Sequence, residues 1–363
     1  MIIPIKPWLE LLETDASHFS RPDHFAEGLV LASDEEAEQL WKERRGHEAL
    51  PLDTNTDRMK FYHEPIMAQE ILAVMRPLSG KQIVDGTLGG GGHSELLLAE
   101  GAHVIGCDQD GAALDHAASR LGSYGDQFLP LRGNFSGLDE LLTCAGVDKV
   151  DGILLDLGVS SRQLDDPSRG FSFREDGPLD MRMDSRSELT AFDLVNAWAE
   201  DELIRIFRDY GEERRARRVA KEIVKERAKA PIETTLQLSS IVGKVIPKTS
   251  GKNPATRVFQ AIRIAVNREL ESLESVLEKS GDLLEEGGIL AIITFHSLED
   301  RIVKRFLRDR SAPFLDRPEW PEPRENPDYI FNLISRKAIS PSESEVSRNS
   351  RARSAKLRLA VRV

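Results

Sequence analysis

Residues 82–97 read Gln-Ile-Val-Asp-Gly-Thr-Leu-Gly-Gly-Gly-Gly-His-Ser-Glu-Leu-Leu. A short apolar run ends on Asp85, breaks into five glycines and restarts with helix-forming residues. Residues without Cβ let backbone approach a ligand closely, and the N-terminus of the following helix offers unpaired N–H groups. About 20 residues on, His103-Val-Ile-Gly-Cys-Asp108 repeats the strand-then-acid pattern, and a carboxylate there suits the two hydroxyls of a ribose. Together the two segments predict a site for a nucleoside-containing cofactor.

The surrounding pattern predicts the sheet that would hold such a loop. A helix over 66–76, strand 82–85, helix 94–100, strand 103–108, helix 111–121, strand 127–132 and the apolar run 150–156 alternate regularly. Alternation of this kind predicts a parallel sheet covered on both faces, with ligands at the carboxyl ends of its strands. It then stops for roughly 100 residues. Helical patterns at 191–210 and 214–229 fall in that gap, which predicts an inserted all-helical domain. A long helix over 258–280, a buried strand at 288–294 and a helix at 299–309 follow. Residues 310–330 read as a loop, and extended segments near 330–339 and 356–363 as an antiparallel pair. The expected fold is α/β with a seven-stranded mixed sheet. Its expected parts are an extension at 1–57, a core at 58–160 and 254–363, and a helical insertion at 161–253.

A formal net charge of −12 over 363 residues argues at first against a nucleic-acid partner, because neutralising phosphates takes Lys and Arg. The charge is uneven, however. Residues 1–57 hold 13 acidic against 5 basic residues, a balance of −8, so 58–363 carry only −4. Residues 336–363 carry 8 basic against 2 acidic residues, and 214–229 carry eight basic ones. Each fits a phosphate-contacting face as well as it fits a solvated one. Cys107 and Cys144 form no CxxC pair and no zinc cluster, so neither a disulfide framework nor a metal is expected. With no signal-like start and no apolar run of membrane-spanning length, a cytoplasmic protein without membrane contact is expected.

The acid before the glycines narrows the cofactor. In dinucleotide sites a pyrophosphate follows the strand directly, whereas Asp85 would repel a diphosphate and suits an ammonium group. A turn-capping role for Asp85 fits the sequence too. Asp156, ending Ile153-Leu-Leu-Asp156, falls at the mouth of the fourth strand, and His296 at the end of the fifth. Both are candidate catalytic residues, although a lone His is commonly a structural one. Ser160 and Ser161 lack a GxSxG elbow, which disfavours a hydrolase triad.

Longer segments then spell out a family. Asp85-Gly-Thr-Leu-Gly-Gly-Gly-Gly-His-Ser94, Asp151-Gly-Ile-Leu-Leu-Asp-Leu-Gly-Val-Ser-Ser161, Gln163-Leu-Asp-Asp166, Gly170-Phe-Ser-Phe173 and Asp176-Gly-Pro-Leu-Asp-Met-Arg-Met-Asp184 resemble the ribosomal RNA small subunit methyltransferase H (MraW) family. So do Tyr210-Gly-Glu-Glu-Arg214, Pro254-Ala-Thr-Arg257, Phe259-Gln-Ala-Ile-Arg263, Phe295-His-Ser-Leu-Glu-Asp-Arg301 and Asn349-Ser-Arg-Ala-Arg-Ser354. The resemblance covers 63–363 and not the acidic extension.

It implies a class I (Rossmann-like) methyltransferase that moves a methyl group from S-adenosyl-L-methionine to the exocyclic N4 of a cytidine in the decoding region of 16S ribosomal RNA, within the small ribosomal subunit. It also implies cofactor contacts from Gly91, Gly92 and His93, from Asp108 on the ribose, from Phe135 beside the adenine, and from Asp156 and Gln163 near the methionine end. The tip Asp156-Leu-Gly-Val lacks the Pro-Pro-aromatic sequence of many amino-methyltransferases, so Asp156 is the expected acceptor from N4 and His296 the alternative. Phe171, Phe173 and Met181-Arg-Met183 are expected either to wall a base pocket or to pack the insertion. Two rival readings stand beside this one: a dinucleotide-dependent oxidoreductase and a non-catalytic RNA-binding assembly factor. Monomer and homodimer are equally open at this level.

Overall fold

The computed structural model describes residues 65–247 and 253–363; the acidic extension at 1–57 lies outside them. Its centre is a seven-stranded sheet. Helix α1 (Ala68–Met75) precedes β1 (Gln82–Asp85), α2 (Gly92–Ala99), β2 (His103–Asp108), α3 (Gly111–Leu121), β3 (Phe128–Arg132), α4 (Leu138–Cys144) and β4 (Val150–Asp156). After the helices described below come β5 (Leu284–Thr294), α12 (Ser297–Arg310), β6 (Phe314–Leu315), β7 (Arg324–Glu325), β8 (Phe331–Leu333), α13 (Glu343–Arg348) and β9 (Lys356–Arg362). The sheet order is β3-β2-β1-β4-β5-β9-β8. The first five strands run parallel, and β9 pairs antiparallel with both β5 and β8. This is the mixed sheet of the class I methyltransferase fold, with its order reversal between β1 and β4.

The sheet is buried on both faces. Met67, Ile71, Leu97, Leu114 and Leu121 pack on one side; Leu138, Leu142, Leu273, Val276 and Phe306 pack on the other. Ile153, Leu154 and Leu155 in β4 are fully buried as three successive residues, which only a strand covered on both faces permits. Each such side chain contributes about 1.5–3 kcal/mol through the area it removes from water.

Between β4 and β5 the chain forms α5 (Ser161–Asp165), α6 (Ala191–Ala197), α7 (Glu200–Asp209), α8 (Ala216–Arg227), α9 (Thr235–Val245), α10 (Thr256–Asn267) and α11 (Glu269–Leu283). Helices α6 to α10 close around their own core of Leu194, Leu203, Phe207, Val219, Ile223, Leu238 and Ile262. Phe171, Leu179, Met181 and Met183 belong to this core, so they pack the helices onto the preceding loop; Phe173 packs against it with its ring edge-on to Phe259. Helix α10 falls after residue 253, yet Val258, Phe259 and Ile262 also join the helical core.

Three local patterns differ from those the sequence predicts. The single helix expected over 191–210 breaks at Trp198, whose ψ of 148° is extended. The single helix expected over 258–280 breaks at Arg268, which takes a left-handed conformation (φ 51°) and separates α10 from α11. Residues 310–330 contain a short antiparallel pair, Phe314 with Glu325 and Leu315 with Arg324, where only loop is expected.

Candidate active site

The loops at the carboxyl ends of β1, β2, β4 and β5 open into a cleft of about 420 Å³, within the size range of cofactor pockets. Its first wall is the glycine loop. Helix α2 starts at Gly92, two residues before the expected position, because Gly91 serves as its N-cap in the left-handed region (φ 77°). A Cβ at Gly91 would stand 3.0 Å from Leu121 Cδ1, so both backbone and packing call for glycine there. At Gly86 a Cβ would come within 2.6 Å of Leu155 Cδ2, which draws the loop tightly against β4.

Three carboxylates surround this loop. Asp85 is buried; its Oδ2 accepts from Ser94 Oγ at 2.7 Å and its Oδ1 from the Thr87 N–H at 3.2 Å. Burial raises its pKa, against the opposing influence of His93, Ser94 and Thr87. Asp108 ends β2 and accepts from the N–H of Gly89 and of Asp110, both at 2.8 Å. Burial pushes its pKa up to about 6 despite those bonds. Each of its oxygens keeps a lone pair for a further donor. Asp156 ends β4, where its backbone N–H donates to Thr87 Oγ1 at 2.6 Å. Its Oδ2 lies 3.7 Å from His93 Nδ1, and its Oδ1 is closed off without a donor among the described residues. Burial pushes this carboxyl up to about 6 as well; His93 opposes that rise while Asp85 and Glu299 add to it.

Of the residues expected at a cofactor, Gly92, His93, Asp108, Phe135, Asp156 and Gln163 all line the cleft. Gly91 does not line it and acts by turning the chain. Gln163 is held from both ends: its Oε1 accepts from the Ser160 N–H, and its Nε2 donates to Asp110 Oδ2, each at 3.0 Å. Asp110, which carries no expectation from sequence, is therefore central to this wall. Arg169 Nη1 also donates to its Oδ2 at 2.7 Å, while Nη2 reaches the carbonyls of Arg182 and Met183.

His296 lines the far wall. It caps α12: its Nδ1 accepts from the Glu299 N–H at 3.4 Å, and Glu299 Oε2 accepts from the N–H of Phe295 and of His296. His296 Nε2 lies 3.1 Å from Glu299 Oε1, off the line of a good hydrogen bond. Burial raises the pKa of Glu299, but His296, the Phe295 N–H and Arg263 outweigh it and leave Glu299 below the ordinary range. The spacing His296-x-x-Glu299 of a capping box was the signal for Glu299 in the sequence. Behind it Arg263 forms a bidentate pair with Glu269, both bonds 2.8 Å long. Ligand atoms of Glu269, His296 and Glu299 converge within 4.8 Å of one another, and the Arg263 guanidinium already supplies positive charge to them.

Asp108 and Asp156, whose pKa values are raised and which both line the cleft, favour a cationic ligand, because the ligand restores to each carboxylate the stabilisation that burial removes. The same cleft is lined by Asp108 at the end of β2 and by the Phe135 ring. Among the described residues no helix is long and apolar enough to cross a membrane.

Similarity to known proteins agrees with this geometry. The chain is 48% identical over 305 residues to the Ribosomal RNA small subunit methyltransferase H of Carboxydothermus hydrogenoformans, covering 83% of this chain and 98% of that one. It is 49% identical over 307 residues to the protein of the same name from Syntrophotalea carbinolica, again covering 83% and 98%. Solved structures resemble it more distantly. An rRNA methylase from Streptococcus thermophilus has a TM-score of 0.36 at 12% identity, covering 80% of this chain and 92% of that one. Aeropyrum pernix fibrillarin, with natively bound S-adenosyl-L-methionine, has a TM-score of 0.32 at 9% identity, covering 78% and 68%. Residues 60–363 match the MraW methylase family, and the chain therefore belongs to that family of methyltransferases.

Proposed function

We propose that the protein transfers a methyl group from S-adenosyl-L-methionine to the exocyclic N4 of a cytidine in the decoding region of 16S ribosomal RNA. The observation that carries this reading is Asp156: a carboxylate at the β4 tip that lines the same cleft as the glycine loop and Asp108, its Oδ2 3.7 Å from His93 Nδ1. S-adenosyl-L-methionine is the methyl donor and supplies an electrophilic methyl on a sulfonium. The residues fit it: Asp108 takes the ribose, Phe135 stands beside the adenine, and the Asp156 carboxylate in the same cleft matches the positive charge. Gln163, fixed by Asp110 and Ser160, shapes the methionine end.

The chain's own part in the chemistry is to orient the amine and accept from it. A cytosine N4 lone pair is delocalised into the ring, so the amine attacks poorly until an acceptor draws on its N–H. Asp156 holds that N–H while the amine approaches, and orientation in the cleft contributes most of the acceleration. His296 is the alternative acceptor, but its contacts with Glu299 favour a capping role. To reach the cleft the base must leave its stack.

The helices at 161–253 form the RNA-substrate part, and the exposed side chains of Arg214, Arg215, Arg217 and Arg218 are its phosphate-contacting face. Such a protein works in the cytoplasm. Radiolabelled methyl transfer to small subunits from cells lacking the enzyme, followed by nucleoside analysis, tests the reading. N4-methylcytidine supports it, and its absence with every subunit preparation leaves a non-catalytic assembly factor instead.

A further inference from the structure

The cleft that Asp156 lines holds a second fixed polar group. Arg263 lines the cleft from α10, and its Nε and Nη2 donate to the two oxygens of Glu269. The pair is largely enclosed, at 16% and 11% exposure. The remaining nitrogen, Nη1, has no partner among the described residues. Two features hold the guanidinium rigid. The left-handed Arg268 folds α11 back so that Glu269 reaches a residue six positions earlier; in a continuous helix that spacing would put the two on different faces. Asn267 ties the end of α10 down, donating to the carbonyls of Arg263 and Met181 and accepting from the Met183 N–H.

Arg263 and Asp156 also share a neighbour. The Glu299 carboxylate acts electrostatically on both, raising the pKa of each. The cleft therefore carries both an acceptor, Asp156, and a donor-only group, Arg263, with Glu299 in range of both. A bidentate guanidinium has little freedom left to lose on binding, so donors placed this way read acceptors with geometric selectivity.

We propose that Arg263, clamped by Glu269, reads the N3 and O2 acceptors of the target pyrimidine while Asp156 takes its amine, so that the pair selects cytosine over uracil. This rests on the methyl-transfer reading above and adds to it the residue that recognises the base. Cytosine presents a donor followed by two acceptors, which matches an acceptor followed by donors. Uracil presents an acceptor and then an N–H at those first two positions, and would leave Asp156 and Arg263 both facing like groups. Buried mismatches of that kind discriminate strongly, because the site's polar groups are left unpaired. Adenine shares the amine and the adjacent acceptor but has no counterpart of O2.

The test is a cycle between enzyme and substrate atoms. Small subunits are reconstituted with RNA carrying cytidine or 3-deazacytidine, whose ring N3 is a C–H, at the methylated nucleotide. For the wild-type enzyme the deaza substitution should lower kcat/KM by roughly 10- to 100-fold. Arg263→Lys should cost a similar factor on cytidine, leave the Kd for S-adenosylhomocysteine unchanged, and show less than about a threefold further loss on the deaza substrate. Any change the analogue makes in amine reactivity is common to both enzymes and cancels in the cycle. Glu269→Gln, which keeps Arg263 and loosens its clamp, should also shrink the deaza penalty, and it stands in if Arg263→Lys does not fold. Losses that multiply independently overturn the proposal. So does an Arg263→Lys Kd for S-adenosylhomocysteine raised tenfold, which would place Arg263 at the methionine carboxylate. No transfer by the wild-type enzyme to the cytidine subunit overturns the parent reading, and this inference with it.

Discussion

His93 Nδ1 lies 3.7 Å from Asp156 Oδ2 while its Nε2 meets the Ile66 carbonyl oxygen at 2.9 Å. A carbonyl only accepts, so Nε2 carries a proton and Nδ1 is the nitrogen turned toward the carboxylate. The last glycine-loop residue thus links the segment before α1, the first turn of α2 and the β4 tip through one ring, and it is the group that most opposes the rise in the Asp156 pKa.

Cofactor affinity should depend on pH. Asp108 and Asp156 both titrate near 6, above the ordinary carboxylate value, so both are ionised at pH 7.5 and largely protonated at pH 5. A cationic ligand favours the ionised forms. S-adenosylmethionine affinity should therefore fall as pH drops through 6, whereas S-adenosylhomocysteine, lacking the sulfonium charge, should show a shallower fall. Calorimetric titrations of both ligands between pH 5 and 8 check this; parallel profiles would refute it.

Ser94→Ala removes the 2.7 Å donor to buried Asp85. A buried carboxyl stripped of its donor costs about 1–3 kcal/mol. The variant should lose stability by that amount in urea unfolding and bind S-adenosylmethionine more weakly; wild-type stability would show that the Ser94 hydroxyl is not needed there.

Asp110→Ala strips both Gln163 and Arg169 of their shared carboxylate. Leaving the Arg169 guanidinium partly buried without its counter-ion should cost about 3 kcal/mol or more. The Gln163 wall should loosen with it, so S-adenosylhomocysteine should weaken further than the stability loss alone accounts for. Thermal shifts with and without ligand separate the two effects.

Replacing Arg214, Arg215, Arg217 and Arg218 together by Gln should weaken RNA binding and flatten its salt dependence, by about 0.7–0.9 in the log–log slope for each phosphate no longer neutralised. Cofactor affinity should stay at the wild-type level. An unchanged slope would move the RNA surface elsewhere.

Strand positions were the most legible part of the chain. The expected β1 and β2 coincide with Gln82–Asp85 and His103–Asp108, because each is a buried apolar run that ends abruptly on an acid. Helix breaks were not legible. Arg268 and Trp198 are ordinary helix residues by propensity; the chain turns at Trp198 so that α6 and α7 both meet the helical core, and at Arg268 because α10 packs in that core while α11 must cover the sheet.

Within the site, the sequence by itself determined the glycine loop, Asp108 and Asp156, since each sits where a strand ends and local backbone conformation decides what it faces. Family-length motifs added Phe135 and Gln163 by resemblance. Only the tertiary structure decided the partners: Asp110 beneath Gln163 and Arg169, Ser94 on Asp85, and Arg263 clamped by Glu269 across the left-handed Arg268. Those pairs depend on long-range packing or on a single φ angle, and neither follows from the periodicity of the residues that make them.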